Sequence, residues 1–522
     1  MVFSCVLVRL VAGSPNWQFS YVKRGEGGIR TLGSLLSYGA LAKRCFQPLS
    51  HLTNAEREYC EELGFSNLQF GVANTDVRRV LAISSELPIS NCQLIKSDVI
   101  SEEEARRRIL EKVSPLNERA VPLASALDCF ATQDYFAQLP LPAFDNSAMD
   151  GYAIVASSCH KGCRLRVVGE QPAGPDRKLR VGAGEAVRIF TGAPVPQGAD
   201  AIVMQEDVTR DSAGISVNVD VEAGEFVRRR GCDLAQGQMV LAKGERIRAA
   251  TVALLASQGF ADVIVGGNAT AAVISTGDEL VKPGDELQPG QIYDSNSMLL
   301  SALLQRCGVS ATTVEHCRDD WQSLGNAIKR GIKNHVLIIS GGVSVGEHDL
   351  VKEALLELGA KIEIWRVAVK PGKPFLFGSI QQGTPSPHSS QRSARSQSQA
   401  RTRSAGEGSV LRSNCFVFGL PGNPVSALVT FLQFVRPAIL RMMGATNLDL
   451  PQVPAKLAFG LTNDGDRPHY IRGRLAQEKF TPVGRQESHA LFGLSQANAL
   501  VRVGVGQLLK AGEIVDVQIW DW

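Results

Sequence analysis

"HVLIISGGVSVGEHDLVKEALLELG" (335–359) is the stretch on which the fold turns. A run of branched apolar residues halts at Gly341–Gly342, and "LVKEALLELG" then resumes with apolar residues at helical spacing. Upstream, "ATAAVIST" reads as a buried strand, "SNSMLLSALLQRCG" as a helix, "SATTVEHC" as a strand and "DDWQSLGNAIKRGIKN" as a helix. Strands alternating with helices of this length predict a parallel sheet with helices on both faces. Such sheets hold ligands outside the carboxyl ends of their strands, and "SGGVSVGEHD" lies at one of those ends. A Gly-rich loop there usually cradles phosphate, which the acids of this loop would repel unless a cation is also required.

Working outward, this α/β domain is expected over 268–444. The segment 381–414, rich in Ser, Gln, Arg and Gly, interrupts it. That composition supplies no core, so a disordered insertion is expected between the arms of a hairpin, "FLFGS" and "CFVFG". Residues 145–235 alternate in short runs such as "RLRVVGE" and predict a β-rich domain. Residues 98–144 and 236–267 carry two helical patterns, "SEEEARRRILEKV" and "RAATVALLASQGF", and are read as a discontinuous helical linker domain. Ser101 with Glu104 is a capping-box signature for the first of these helices. A second β-rich domain is expected over 450–522. Residues 1–95 lack sustained periodicity, and "KRGEGGIRTLGSLLSYGALAKRCFQPLSHLT" (23–53) resembles the translation of a tRNA gene. They are read as an extension, either unstructured or arising from a start placed too early.

The chain of 522 residues is 44% hydrophobic, with a net charge of +3, so it carries no global footprint for nucleic acid or membrane. Arg9 interrupts the apolar start "MVFSCVLVRLVAG", which argues against a signal peptide. Eleven scattered cysteines argue for a reducing, cytoplasmic setting rather than a disulfide framework. The tight cluster "CHKGC" (159–163) has too few ligands for a metal and reads as a surface loop with free thiols.

Polar clusters fall at the strand ends of the α/β domain. "STGDEL" contributes Asp278 and Glu279, "RDD" contributes Asp319 and Asp320, and the central loop contributes Gly341, Gly342, Ser344, Glu347 and Asp349. "LPGNP" contributes Pro421, Gly422, Asn423 and Pro424, while "VKPGKPF" contributes Lys370 and Lys373 across a Pro-Gly turn. Any one of these is explained as a helix cap or a turn. Together, carboxylates, lysines and glycine turns at one sheet edge match a site that holds phosphates through Mg²⁺. The cation accounts for the acids in the glycine loop.

With "PAFDNSAMDGYA" (142–153), "TGAPVPQGADAIVMQE" (191–206) and "RRRGCD" (228–233), these motifs resemble the molybdopterin molybdenumtransferase family, that is, the MoeA and gephyrin E-domain proteins. The resemblance runs in the family's order from about residue 98 to the end. It implies a multidomain α/β protein, with a parallel-sheet molybdopterin-binding domain flanked by β-rich domains. It implies insertion of molybdate into adenylylated molybdopterin, with Mg²⁺-dependent release of AMP. It places Asp150, Thr191, Asp233, Glu279, Asp319, Asp349 and Lys370 at functional positions, with Pro421 and Pro424 beside them. It further implies a homodimer with an intersubunit site, and transient contact with the adenylyltransferase and with apo-molybdoenzymes. For a dianionic substrate, Arg228, Arg229, Arg230 and Lys370 supply positive charge, and Ser344 and Thr191 can donate hydrogen bonds. Asp278, Glu279 and Asp349 are candidates for Mg²⁺ ligation or water activation, which the residues do not separate. Arg366 stands where the family often has lysine, and Cys232 where it often has Glu. The rival readings are the adenylyltransferase, whose loop is a TGGTG-type turn, a nucleotide pyrophosphatase lacking "DNSAMDGY", and a non-catalytic scaffold or carrier.

Overall fold

A computed structural model of the chain describes residues 99–309, 311–342, 350–381 and 414–520, together with strands at 5–9, 18–25 and 28–31. The chain divides into two units, Met1–Leu94 and Ile95–Trp522. In the first, Cys5–Arg9 pairs antiparallel with Gln18–Gly25, which pairs in turn with Gly28–Thr31. The sequence reading assigned no element there. The insertion expected at 381–414 and the loop residues Ser344, Glu347 and Asp349 lie outside the described residues, apart from the flanking Gln381 and Asn414.

The centre of the second unit is a six-stranded sheet in the order Ala311–Cys317, Thr270–Thr276, Val336–Ser340, Asn414–Leu420, Leu376–Gln381, Lys361–Trp365. The first four strands are parallel, and the last two run antiparallel to their neighbours. Strand side chains alternate between faces, so Ala271, Val273, Val336 and Ile338 join one core, and Ala272, Ile274, Leu337 and Ile339 another. The helix Ser295–Arg306 covers the first face through Leu300, Leu303 and Leu304. Trp321–Gly331 and Leu350–Glu357 cover the second through Leu324, Ile328, Val351 and Leu355. Both faces are therefore dry, which is why these strands read as continuous apolar runs. From Thr270–Thr276 the chain crosses to one neighbour, Ala311–Cys317, and then to the other, Val336–Ser340. The direction of winding reverses between Thr270–Thr276 and Val336–Ser340, the kind of switch point at whose carboxyl ends open α/β sheets hold ligands.

The helical run Pro424–Met442 also packs in the first core. It is the one stretch among the described residues long and apolar enough to cross a membrane, and 89% of its apolar window is buried inside the protein. Its middle turn, Phe431–Val435, is a π-helix just before Pro437, which has no N–H to continue the regular ladder.

The flanks are β-rich. A six-stranded sheet runs in the order Ala201–Met204, Gly151–Ile154, Glu185–Ile189, Arg164–Gln171, Gly214–Val217, Val208–Asp211. At the other end, Gln452–Leu457, Lys479–Pro482, His469–Ala476, Ala499–Val503 and Ile514–Ile519 close a barrel. The region read as a helical linker is mixed. It holds the helices Glu102–Lys112 and Ala249–Ser257, but also ribbons pairing Arg119–Pro122 with Asp262–Val265 and Tyr135–Phe136 with Met239–Leu241. These strands are short and pair across more than 100 residues, so no local pattern announces them. Ser101 caps its helix as expected, accepting the Glu104 N–H at 3.1 Å. The Glu104 carboxylate, however, is bonded to Arg107 and Arg108 rather than closing the box.

Candidate active site

The carboxyl ends of Thr270–Thr276 and its edge neighbour Ala311–Cys317 are tied by short polar links. The Thr276 hydroxyl donates to the Asp319 carboxylate at the end of the neighbouring strand. The Asp319 N–H donates to Asp278 Oδ1 at 3.3 Å. His316 Nε2 lies 3.1 Å from the Gly277 carbonyl. Asp278, Glu279 and Asp319 are all exposed at this edge. Asp320 does not join them. Its side chain accepts the Ser323 N–H at 2.9 Å as the cap of the next helix, and that capping bond lowers its pKa.

One strand further along, Gly341 and Gly342 both take positive φ, 92° and 64°. A Cβ on Gly341 would lie 2.4 Å from the Thr276 carbonyl oxygen, so only glycine fits the turn. The Gly341 N–H donates to the Leu420 carbonyl at 3.2 Å. Gly341 thus shapes the turn and binds it to the "LPGNP" strand, and its N–H is engaged within the protein. Beneath the turn, the buried Asn296 donates to Ser340 Oγ at 2.9 Å and to the Gly422 carbonyl at 2.7 Å. Asp294 caps the same helix through the Ser297 N–H and accepts the Ser275 hydroxyl at 2.5 Å. Asn296 and Asp294 were missed in the sequence. The "DSNS" run was available as a cap signal, but nothing local shows that it reaches two other strands.

"VKPGKPF" meets the C-terminal barrel. The Lys370 N–H donates to the Pro468 carbonyl at 2.8 Å, and the Lys370 carbonyl accepts the Tyr470 N–H at 2.7 Å. Lys370 is exposed and Lys373 half-buried. His469, 8% exposed, has no hydrogen-bond partner for Nε2 among the described residues. Burial, with the charges of Lys370, Arg467 and Arg472 nearby, pushes its pKa down to about 4, so the ring is neutral at pH 7. Arg472 is 1% exposed. Its Nη1 donates to the Glu487 carbonyl at 3.3 Å, while Nε and Nη2 have no partner among the described residues. Asn423 of "LPGNP" reaches Ser488 Oγ at 2.9 Å, and the Val425 N–H donates to the Ser488 carbonyl, so this barrel loop also borders the edge. Pro424 opens the helix that follows and Pro421 is buried in the turn. None of the barrel residues was expected in the site, because the barrel segment carries no motif of its own.

The remaining candidates lie in and beside the β-rich domain. Asp150 Oδ1 accepts both the Thr191 N–H at 2.7 Å and the Thr191 hydroxyl at 2.9 Å, and these bonds hold its pKa below the usual carboxylate range. The Thr191 hydroxyl hydrogen that an oxyanion was expected to receive is therefore engaged with Asp150. Arg188 stands over the rings of Tyr152 and Phe190, 4.9 and 5.1 Å from their centroids, and adds charge near Asp150. In "RRRGCD", Arg229 pairs with Asp145 at 2.9 Å, and the Arg230 N–H donates to the same carboxylate at 2.7 Å. Arg228, Arg230 and Asp233 are exposed. Among the described residues, no hydrogen bond or ion pair joins this group to the sheet edge.

Fold and candidate site together define a class: a multidomain α/β protein with a winding reversal in a mostly parallel sheet, acids at the ends of its strands, and β-rich domains on either side. Three family models match in succession. They are the MoeA N-terminal region (domains I and II) over 100–259, a probable molybdopterin-binding domain over 272–441, and the MoeA C-terminal region (domain IV) over 454–520. The molybdopterin molybdenumtransferase of Haemophilus influenzae is 33% identical over 427 residues, covering 80% of this chain and 97% of its own length. That of Nostoc sp. is 35% identical over 381 residues, covering 71% and 81%. A crystal structure of a molybdopterin biosynthesis MoeA protein from Pyrococcus horikoshii aligns with a TM-score of 0.61 at 30% identity, over 81% of this chain and 100% of the other. The chain belongs to the molybdopterin molybdenumtransferase family.

Proposed function

We propose that this chain inserts molybdate into the dithiolene of adenylylated molybdopterin and releases AMP, in a Mg²⁺-dependent reaction. The observation that carries this reading is Arg472, buried with two unpartnered nitrogens on the barrel strand that Lys370 joins through its backbone bridge to His469. A buried guanidinium with two unpaired nitrogens is costly unless an anion completes it, and a tetrahedral oxyanion offers the acceptors it lacks. The acids at the strand ends serve the other half of the reaction. Asp278 and Asp319 are linked, exposed and hard-oxygen donors, which fits an ion that keeps most of its waters and takes one or two carboxylates plus substrate phosphate oxygens. Glu279 and Asp349 are the further candidates for that set. The ion, when bound, would screen the phosphoanhydride and stabilise the charge left on AMP.

The chain's own groups then divide the work. Lys370 and Lys373 screen the incoming dianion, and the Gly341–Gly342 and Pro421–Pro424 turns let the ligand approach the backbone. Asp150, held ionised by Thr191, accepts hydrogen bonds from the ligand rather than donating a proton at pH 7. The exposed Arg228, Arg230 and Asp233, with Asp150 and Thr191, face the α/β domain of a second copy, so that a homodimer completes the site. The enzyme works in the cytoplasm and contacts the adenylyltransferase and apo-molybdoenzymes transiently.

The test is AMP release from adenylylated molybdopterin, with molybdate and Mg²⁺ each present or omitted, for wild type and Asp349→Ala. Release that depends on both, lost in the variant and yielding a product that activates an apo-molybdoenzyme, is the expected result. AMP release indifferent to molybdate would make the chain a pyrophosphatase instead. Tight pterin binding without turnover would make it a carrier.

A further inference from the structure

The pair Cys159 and Cys163 has no place in the reaction just described, yet the fold brings the two thiols together. Cys159 follows the 3₁₀ turn Ala156–Ser158 and donates its N–H to the Ala156 carbonyl at 3.0 Å. The Cys163 N–H then returns to the His160 carbonyl at 2.9 Å, folding "CHKGC" into a tight turn. Three further bonds fix that turn to the sheet. Gly162 donates to the Val217 carbonyl at 2.7 Å, the Val217 N–H donates to the Cys163 carbonyl at 3.0 Å, and the Lys161 N–H donates to Asp220 Oδ1 at 2.9 Å. The two sulfur atoms end 2.9 Å apart, inside van der Waals contact. A covalent bond needs them only about 0.9 Å closer. Cys159 is buried against Tyr152, Ile154 and Leu165, while Cys163 is half-buried at the edge of the same cluster. One thiol is thus reachable from solvent and the other stands directly behind it.

We propose that Cys159 and Cys163 form a reversible dithiol–disulfide site, oxidised by low-molecular-weight disulfides. The Cys163 thiolate attacks one sulfur of the small disulfide, giving a mixed disulfide and releasing one small thiol. The Cys159 sulfur, as thiolate, then attacks Cys163 Sγ, forming the internal bond and releasing the second small thiol. The two protein thiols lose two protons and two electrons, and one small disulfide becomes two small thiols. The buried partner resolves the adduct rather than starting the exchange, because burial raises the Cys159 pKa to about 12 and disfavours its free thiolate. The lysine and histidine of the turn are exposed, so the oxidant approaches from that side. The bond would join the end of the Gly151–Ile154 strand, which begins right after Asp150, to the start of Arg164–Gln171.

The test uses the folded full-length chain in buffers of graded oxidised and reduced glutathione, with thiols trapped by alkylation and mapped by mass spectrometry. Alkylation at Cys159 and Cys163 is expected to fall together, at least about tenfold, with no glutathione left on either. The exposed Cys232 serves as an internal control and is expected to keep a glutathione adduct. In Cys159→Ser, Cys163 is expected to retain glutathione, since its resolving sulfur is gone. Should both thiols of the folded wild type stay alkylatable in oxidised buffer, or should glutathione remain on Cys163, the proposal fails. That readout comes from wild type alone and does not depend on the variant folding or on AMP release.

Discussion

The barrel-side corner of the sheet edge and the Asp150 group in the β-rich domain both collect charged side chains, but they settle those charges in opposite ways. Asp150 is answered twice by Thr191, and Asp145 is answered by Arg229 and the Arg230 N–H. Both carboxylates sit near water with their bonds made. At the corner, Arg472 and His469 are buried with ring and guanidinium nitrogens unanswered, and the exposed Lys370 adds a further charge close by. A satisfied pair at the surface needs nothing more and contributes position. A buried cation left short of acceptors is stable only with a ligand or at a standing cost. On the proposed function, the corner is the place that a substrate completes, and the Asp150 group, with its bonds already made, contributes position.

The sharpest way to break this comparison is Arg472→Met. It is expected to lower molybdate-dependent AMP release by about 10²–10³-fold, as losing a preorganised oxyanion donor does. The chain's resistance to urea should hold or rise, because an unpaired buried charge is removed. An active variant that is less stable would show that the corner is structural. Next, Asp319→Ala is expected to raise the Mg²⁺ concentration needed for half-maximal AMP release about 10–100-fold, read from a Mg²⁺ titration. An unchanged requirement would detach the strand-end acids from the metal.

Gly341→Ala tests whether the glycine turn is shape rather than charge. With φ at 92° and the Thr276 oxygen 2.4 Å from the added Cβ, the substitution should lower stability by roughly 1–3 kcal/mol in urea unfolding. The smallest effects are in pH. His469 has its pKa depressed from 6.5 to about 4 by burial first, so the unfolded chain binds more protons than the folded one in that window. The stability this provides is present above pH 6.5 and is lost as the pH falls toward 4. His469→Gln should flatten the urea midpoint over that range. Asp150 is also depressed, by its bonds to Thr191, and its contribution is present above its unfolded pKa and lost only as the pH falls further. Asp150→Asn should leave the pH 4–6.5 limb unchanged, which separates the two groups experimentally.

Much of the sheet was legible because its strands are buried on both faces and its helices carry one apolar stripe. "VLIIS" and "LVKEALLELG" show these patterns without ambiguity. The strand-end acids were legible for the same reason, since knowing where a parallel strand stops places whatever follows it. Asn296 was not, because its partners, Ser340 on one strand and Gly422 in the turn after another, are contacted only once the sheet is assembled. The ribbons of the linker were missed because pairs of two to four residues have no periodicity to read. "CHKGC" was read as a loop with free thiols, and spacing alone could not tell that its turn brings the sulfurs into contact.

The sequence by itself determined the mostly parallel sheet and the identity of the charged groups at its edge. These depend on periodicity and on residue chemistry, both of which are local. The tertiary structure alone decided which charges are paired and which are left waiting. Asp150 finds Thr191 41 residues away, and Lys370 meets His469 through a bridge made only when the barrel docks on the sheet. Burial and partnership are properties of the assembled chain, and they are what turn a list of acids and lysines into a site.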